Sequence, residues 1–119
     1  MHYVTRMYLG QSIPEGASPA YPLKAGRPIP ADAFDRFVID TVAAAFPDGY
    51  TILKGVGGWR DTTNGVTIHE DAYVLEVYHD GGIHKRDAVR NVAVTYRQRF
   101  GQDAVMVSTL NLSEGVQFL

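Results

Sequence analysis

The pair Asn64-Gly65, set between two strand-like runs, constrains this chain more than any other feature. Both residues tolerate φ > 0, the backbone condition for reversing a strand in a tight hairpin. Upstream, Tyr50-Thr51-Ile52-Leu53-Lys54 opens a strand that continues through glycines to Trp59-Arg60-Asp61. Downstream, a strand is expected over about 66–79, ending in Asp80-Gly81-Gly82. Outside this central hairpin the apolar pattern changes period. Residues 3–10 alternate, with Tyr3, Thr5, Met7 and Leu9 on one face and Val4, Arg6 and Tyr8 on the other. Phe34, Phe37, Val38, Val42, Ala45 and Phe46 recur at helical spacing and predict a helix over about 31–46, with Pro30 before its first turn and Pro47-Asp48-Gly49 after it. A second helix is expected over about 84–100, capped by Gly101, and a last strand over about 104–112.

The resulting order, β-α-β-β-α-β, is that of the ferredoxin-like sandwich, an α+β fold with a four-stranded antiparallel sheet and two helices on one face. Residues 1–119 are read as a single ferredoxin-like domain. Its irregular part is a proline-rich insertion at 12–30, which holds five of the six prolines. Such a sheet leaves its second face bare, so function becomes a question about that face.

Composition removes several classes of function. The 119 residues include no cysteine, which excludes disulfides, thiolate metal sites and cysteine nucleophiles. A net charge of -2 argues against nucleic acid as a partner, because polyanion binders carry a basic excess. The basic residues of the second helix, Lys85, Arg86, Arg90, Arg97 and Arg99, are read as a solvated face. No apolar stretch reaches the ~20 residues that span a bilayer, so no membrane partner is expected. The N-terminus has no apolar core of a secretory signal, which makes cytoplasmic residence the expectation.

Four segments carry a resemblance: Tyr8-Leu9-Gly10, Phe46-Pro47-Asp48-Gly49, Gly58-Trp59-Arg60-Asp61 and Tyr96-Arg97-Gln98-Arg99-Phe100-Gly101-Gln102. In that order, from Tyr8 to about Val107, the chain resembles a family of small bacterial proteins catalogued as a domain of unknown function. The resemblance implies element boundaries and contributes no catalytic residue.

Candidate site residues come from the open face and the glycine-rich strand. If Tyr73, Leu75 and Val77 pack under the helices, Glu76 and Tyr78 point to the open face beside Arg6 and Tyr8. There an Arg6–Glu76 pair either seals an interface or orients a ligand between two tyrosine rings. Gly55, Gly57 and Gly58 weaken their strand and point to a bulge or a close approach. Trp59 would then stack on a planar ligand and Arg60 grip an anionic group, the competing roles being core capping by Trp59 and a local Arg60–Asp61 pair. Glu76 and His79 are the candidate bases of a catalytic version of the site. The histidines match no metal-ligand spacing, so neither metal nor cofactor is expected.

The leading expectation is a homo-oligomer, most simply a dimer through the open sheet faces or the apolar tail 116–119, that binds a small anionic or planar ligand. The competing expectations are a cofactor-independent enzyme of isomerase, tautomerase or oxygenase type, and a protein-interaction module whose proline-rich segment crosses onto a neighbour.

Overall fold

The computed structural model describes residues 2–19 and 23–119. Four strands, β1 (Tyr3–Gly10), β2 (Thr51–Arg60), β3 (Thr67–His79) and β4 (Met106–Asn111), form one antiparallel sheet in the order β2-β3-β1-β4. The first helical rod comprises α1 (Ala31–Phe37), a π-helical segment (Val38–Val42) and α2 (Ala43–Ala45); the second is α3 (Ile83–Arg99). Ala20, Tyr21 and Pro22, part of the proline-rich insertion, lie outside the described residues.

The sheet buries the face that alternation predicts. Met7, Leu9, Leu75 and Val77 point under the helices and meet Phe34, Phe37, Val42, Phe46, Val92, Tyr96 and Phe100. Phe37, Tyr96 and Phe100 form the aromatic centre, with ring centroids 5.1 Å, 5.8 Å and 4.8 Å apart and edge-to-face or tilted rings. Tyr96 is fully buried and its hydroxyl donates to the Gly10 carbonyl. It also accepts from Gln11 Nε2 at 3.0 Å.

Three expectations need correction. The first helix is not uniform: its i→i+5 segment lets in an extra residue. The central hairpin is wider than a two-residue turn, because Asp61 and Val66 close the loop through Asp61 N–H to Val66 O at 2.8 Å. Only Gly65, at φ +72°, uses the left-handed region there; Asn64 instead caps the turn, its side chain accepting from Val66 N–H. Finally, the proline-rich insertion folds back on its own chain. Ser12 pairs with Pro28, Ile13 N–H reaches Arg27 O at 2.8 Å, Ile29 N–H reaches Gln11 O at 2.7 Å, and Ile13 and Ile29 are buried in the core. Its base is thus committed to the protein's own core.

Candidate functional site

Registers across the sheet arrange the open face in rows. Leu53, Val74, Tyr8 and Met106 lie opposite one another on the four strands and make an apolar row. The next row, Thr51, Glu76, Arg6 and Ser108, is polar, and the third, Tyr78, Val4 and Leu110, is again apolar, with Val4 itself buried. Within the polar row Arg6 Nε donates to Glu76 Oε2 at 3.0 Å, and the Tyr78 hydroxyl lies 3.5 Å from the other carboxylate oxygen. The bond to Glu76, and then its charge, raise the Arg6 guanidinium above its ordinary range. The structure therefore brings together four of the expected residues, Arg6, Tyr8, Glu76 and Tyr78, on the face expected of them.

Trp59 and Arg60 are not part of that cluster. Thr51 stands opposite Glu76, and Trp59 is eight residues farther along β2, which at ~3.3 Å per residue places it about 26 Å away. Neighbours on a strand also point to opposite faces, so Trp59 and Arg60 cannot serve one ligand on one face. Trp59 is half exposed on a ribbon that runs beyond the helices, which corrects the core-capping alternative, and Arg60 Nε donates to Gly65 O at 3.3 Å. Asp61 takes the backbone and hydroxyl donors of Thr63 in place of an Arg60 pair, and these bonds hold its carboxyl below the usual range.

His79 lies under the helix face, with both ring nitrogens engaged. Gly81 N–H donates to Nδ1 at 3.0 Å, which leaves the proton of the neutral ring on Nε2, 2.7 Å from Thr5 Oγ1. Burial lowers its pKa, assisted by Lys85 and Arg86 and opposed by Asp80. A ring held this way orients its neighbours and has no free lone pair to act as a base. Glu76, for its part, faces away from the layer between sheet and helices and is paired with Arg6 on the open face.

One cleft was not foreseen. It measures about 670 Å³ and lies between α1 with the π segment, the paired ends of the insertion, and the near half of the β2–β3 ribbon. Phe34 and Tyr73, ring centroids 4.5 Å apart, form its floor. Asp35, Glu70 and Asp71 stand around it with Lys54 and His69, and among the described residues none of those three carboxylates is in an ion pair. Its signal in the sequence is Phe34-Asp35 on the helix together with Glu70-Asp71-Ala72-Tyr73 on the strand. The pairing of Gln11–Ile13 with 26–29 closes one wall. A second cleft, about 580 Å³, lies at the corner where β2 starts, between Tyr50, Glu76, Tyr78 and Phe118. Among the described residues, no three His, Asp or Glu side chains cluster to hold a metal ion, and no helix is long and apolar enough to cross a membrane.

The family described as "Protein of unknown function (DUF3574)" matches residues 4–116. The chain belongs to this family. No curated protein matches the chain. Among solved structures it is similar to a phage SAM lyase in complex with S-methyl-5′-thioadenosine, at 15% identity and a TM-score of 0.60, covering 92% of this chain and 80% of that one. It is also similar to a phage SAM lyase in the apo state, at 18% identity and a TM-score of 0.54, covering 91% and 78%. At these identities the likeness is one of fold. Of the four segments that carry the family resemblance, two meet directly in the Tyr96–Gly10 hydrogen bond, and Phe46 of a third is buried in the core. The fourth, Gly58-Trp59-Arg60-Asp61, lies at the far end of the ribbon.

Proposed function

We propose that this protein binds a small molecule in the cleft under α1 and assembles as a homo-oligomer through its open sheet face, on a ferredoxin-like scaffold. The observation that carries the ligand reading is the 670 Å³ cleft, a size typical of ligand sites, with an aromatic floor and three carboxylates outside any ion pair among the described residues. A floor of two rings suits a planar group, and an acidic rim suits a positive charge. This sign is opposite to the anionic ligand that Arg6 and Arg60 imply. The engagement of both His79 nitrogens and the Arg6–Glu76 pair favour binding over catalysis at the residues proposed as bases.

The ligand named for the phage lyase supplies a probe, since S-methyl-5′-thioadenosine has a planar base. Titration calorimetry with that thioether and with SAM tests the reading. Saturable binding is expected, SAM more tightly than the thioether because of its positive charge, and Asp35→Asn with Asp71→Asn should erase the difference. Absence of heat and of thermal stabilisation with both compounds refutes it, since a ligand at 100 times its Kd stabilises by about 2.7 kcal/mol.

An apolar row beside a polar one suits the open face to pairing with a second copy, because a dyad through the polar row sets each Arg6 near the partner's Glu76. Sedimentation at micromolar concentration should show an oligomer. Arg6→Glu should dissociate it and the double variant Arg6→Glu/Glu76→Arg restore it; a monomeric parent protein refutes the assembly.

A further inference from the structure

A separate cavity of about 300 Å³ lies between α3 and the helix-facing side of β1, β3 and β4. Thr5, His79, Arg86 and Thr109 line it, and Tyr3 stacks on the His79 ring with centroids 5.8 Å apart. Its hydrogen bonds form a chain. Gly81 N–H, donating to His79 Nδ1, leaves the ring proton on Nε2, which donates to Thr5 Oγ1. Thr5 is buried, and Thr109 Oγ1 at 2.8 Å is the acceptor within reach of its own hydroxyl proton. With Thr5 as donor, Thr109 accepts and keeps its own proton to donate. Gly81 adopts φ +81°, and a Cβ there would meet the Tyr3 ring at 2.5 Å, so glycine is what lets this amide reach the imidazole.

The charge around the cavity is one-sided. No carboxylate lines it, and among the described residues the Arg86 guanidinium is in no ion pair or side-chain hydrogen bond. We infer that this cavity is a binding site for a small carboxylate, held by the Thr109 hydroxyl and the Arg86 guanidinium, with its apolar part against Val89 and the Tyr3 ring. The site is independent of the cleft under α1, and its ligand is of the opposite charge.

The test is an NMR titration with sodium butyrate and with butyramide, its uncharged isostere, at constant ionic strength. Butyrate should shift the Gly81 amide and the His79 ring nitrogens saturably, and butyramide should not. Arg86→Gln and Thr109→Val, both at exposed positions and so expected to fold normally, should each weaken butyrate by about tenfold. Equal binding of the two compounds, unsaturable shifts, or an Arg86→Gln variant that binds as well as the parent overturns the proposal. So does a ring ¹⁵N spectrum at pH 8 showing the proton on Nδ1, since the directed chain would then run the other way.

Discussion

Replacing Tyr96 by Phe isolates one buried interaction that ties α3 to the end of β1. The ring is fully buried, its hydroxyl donates to Gly10 O, and it accepts from Gln11 Nε2, which retains a second acceptor in Leu9 O at 3.2 Å. The substitution keeps the aromatic packing and leaves the Gly10 carbonyl without this donor. An unsatisfied buried group costs ~1–3 kcal/mol, so a loss of about 2 kcal/mol is expected. With an unfolding entropy of about 2.1 cal/mol/K per residue, 1 kcal/mol corresponds to about 4 °C for a chain of this length, hence a fall in Tm of about 8 °C. The same group predicts an alkaline limb. Burial raises the Tyr96 pKa well above its ordinary value, so the folded state keeps its proton where the unfolded state loses it. Stability is then complete below about pH 10, where free tyrosine begins to ionise, and falls above it by at most ~1.4 kcal/mol per pH unit. Thermal melts at pH 8, with urea titrations at pH 8 and pH 11, of the parent and Tyr96→Phe check both effects. A Tm change under 2 °C at pH 8, or an equal alkaline loss in both proteins, would refute the assignment.

Three further outcomes follow from other sites. The depressed pKa of His79 means that the unfolded state binds a proton more readily, so stability should fall as pH drops below about 6.5, and His79→Gln should flatten that acid limb in urea titrations. Trp59→Ala should leave Tm within about 2 °C of the parent in calorimetry, because the indole is half exposed beyond the core; a loss of the size usual for a core aromatic, ~3–5 kcal/mol, would show that it packs in the protein. Phe37→Ala should show that loss, since Phe37 is fully buried against Tyr96 and Phe100, and circular dichroism at rising temperature would record it.

How legible each part was in the sequence depends on what holds it. β1 is readable to the residue because one of its faces is buried, and Thr5, Met7 and Leu9 can then occupy only that face. The same parity places Arg6 beside Glu76, confirmed at 3.0 Å, and should have separated Trp59 from Arg60, which are adjacent and therefore opposed. The α1 cleft obeys no local pattern. One wall depends on Ile13 and Gly26–Ile29 pairing across a segment whose prolines supply no donors, and such long-range closure leaves no period to read. His79 was visible as a titratable residue at a strand end. Its commitment to Gly81 and Thr5 was not, because the tautomer is set by a loop amide and a hydroxyl on another strand.

The π segment shows how a packing demand and a site can share one irregularity. Phe34 and Phe46 are both buried, yet twelve residues of regular helix at ~100° each would leave them about 120° apart around the axis. Absorbing one extra residue in Val38–Val42 takes back about 100°, which returns Phe46 to the side of Phe34 and accounts for the spacing of five between buried Phe37 and Val42. The residue displaced outward is the largely exposed Ile39, which lines the α1 cleft beside Val38. Deleting Ile39 should convert the rod to a regular α-helix with its core residues in phase. Helix content and Tm should then be kept or raised, while binding in the α1 cleft is lost together with its lip. A variant that unfolds instead would show that the extra residue serves packing beyond phase, and one that folds and still binds SAM would remove the π segment from the site.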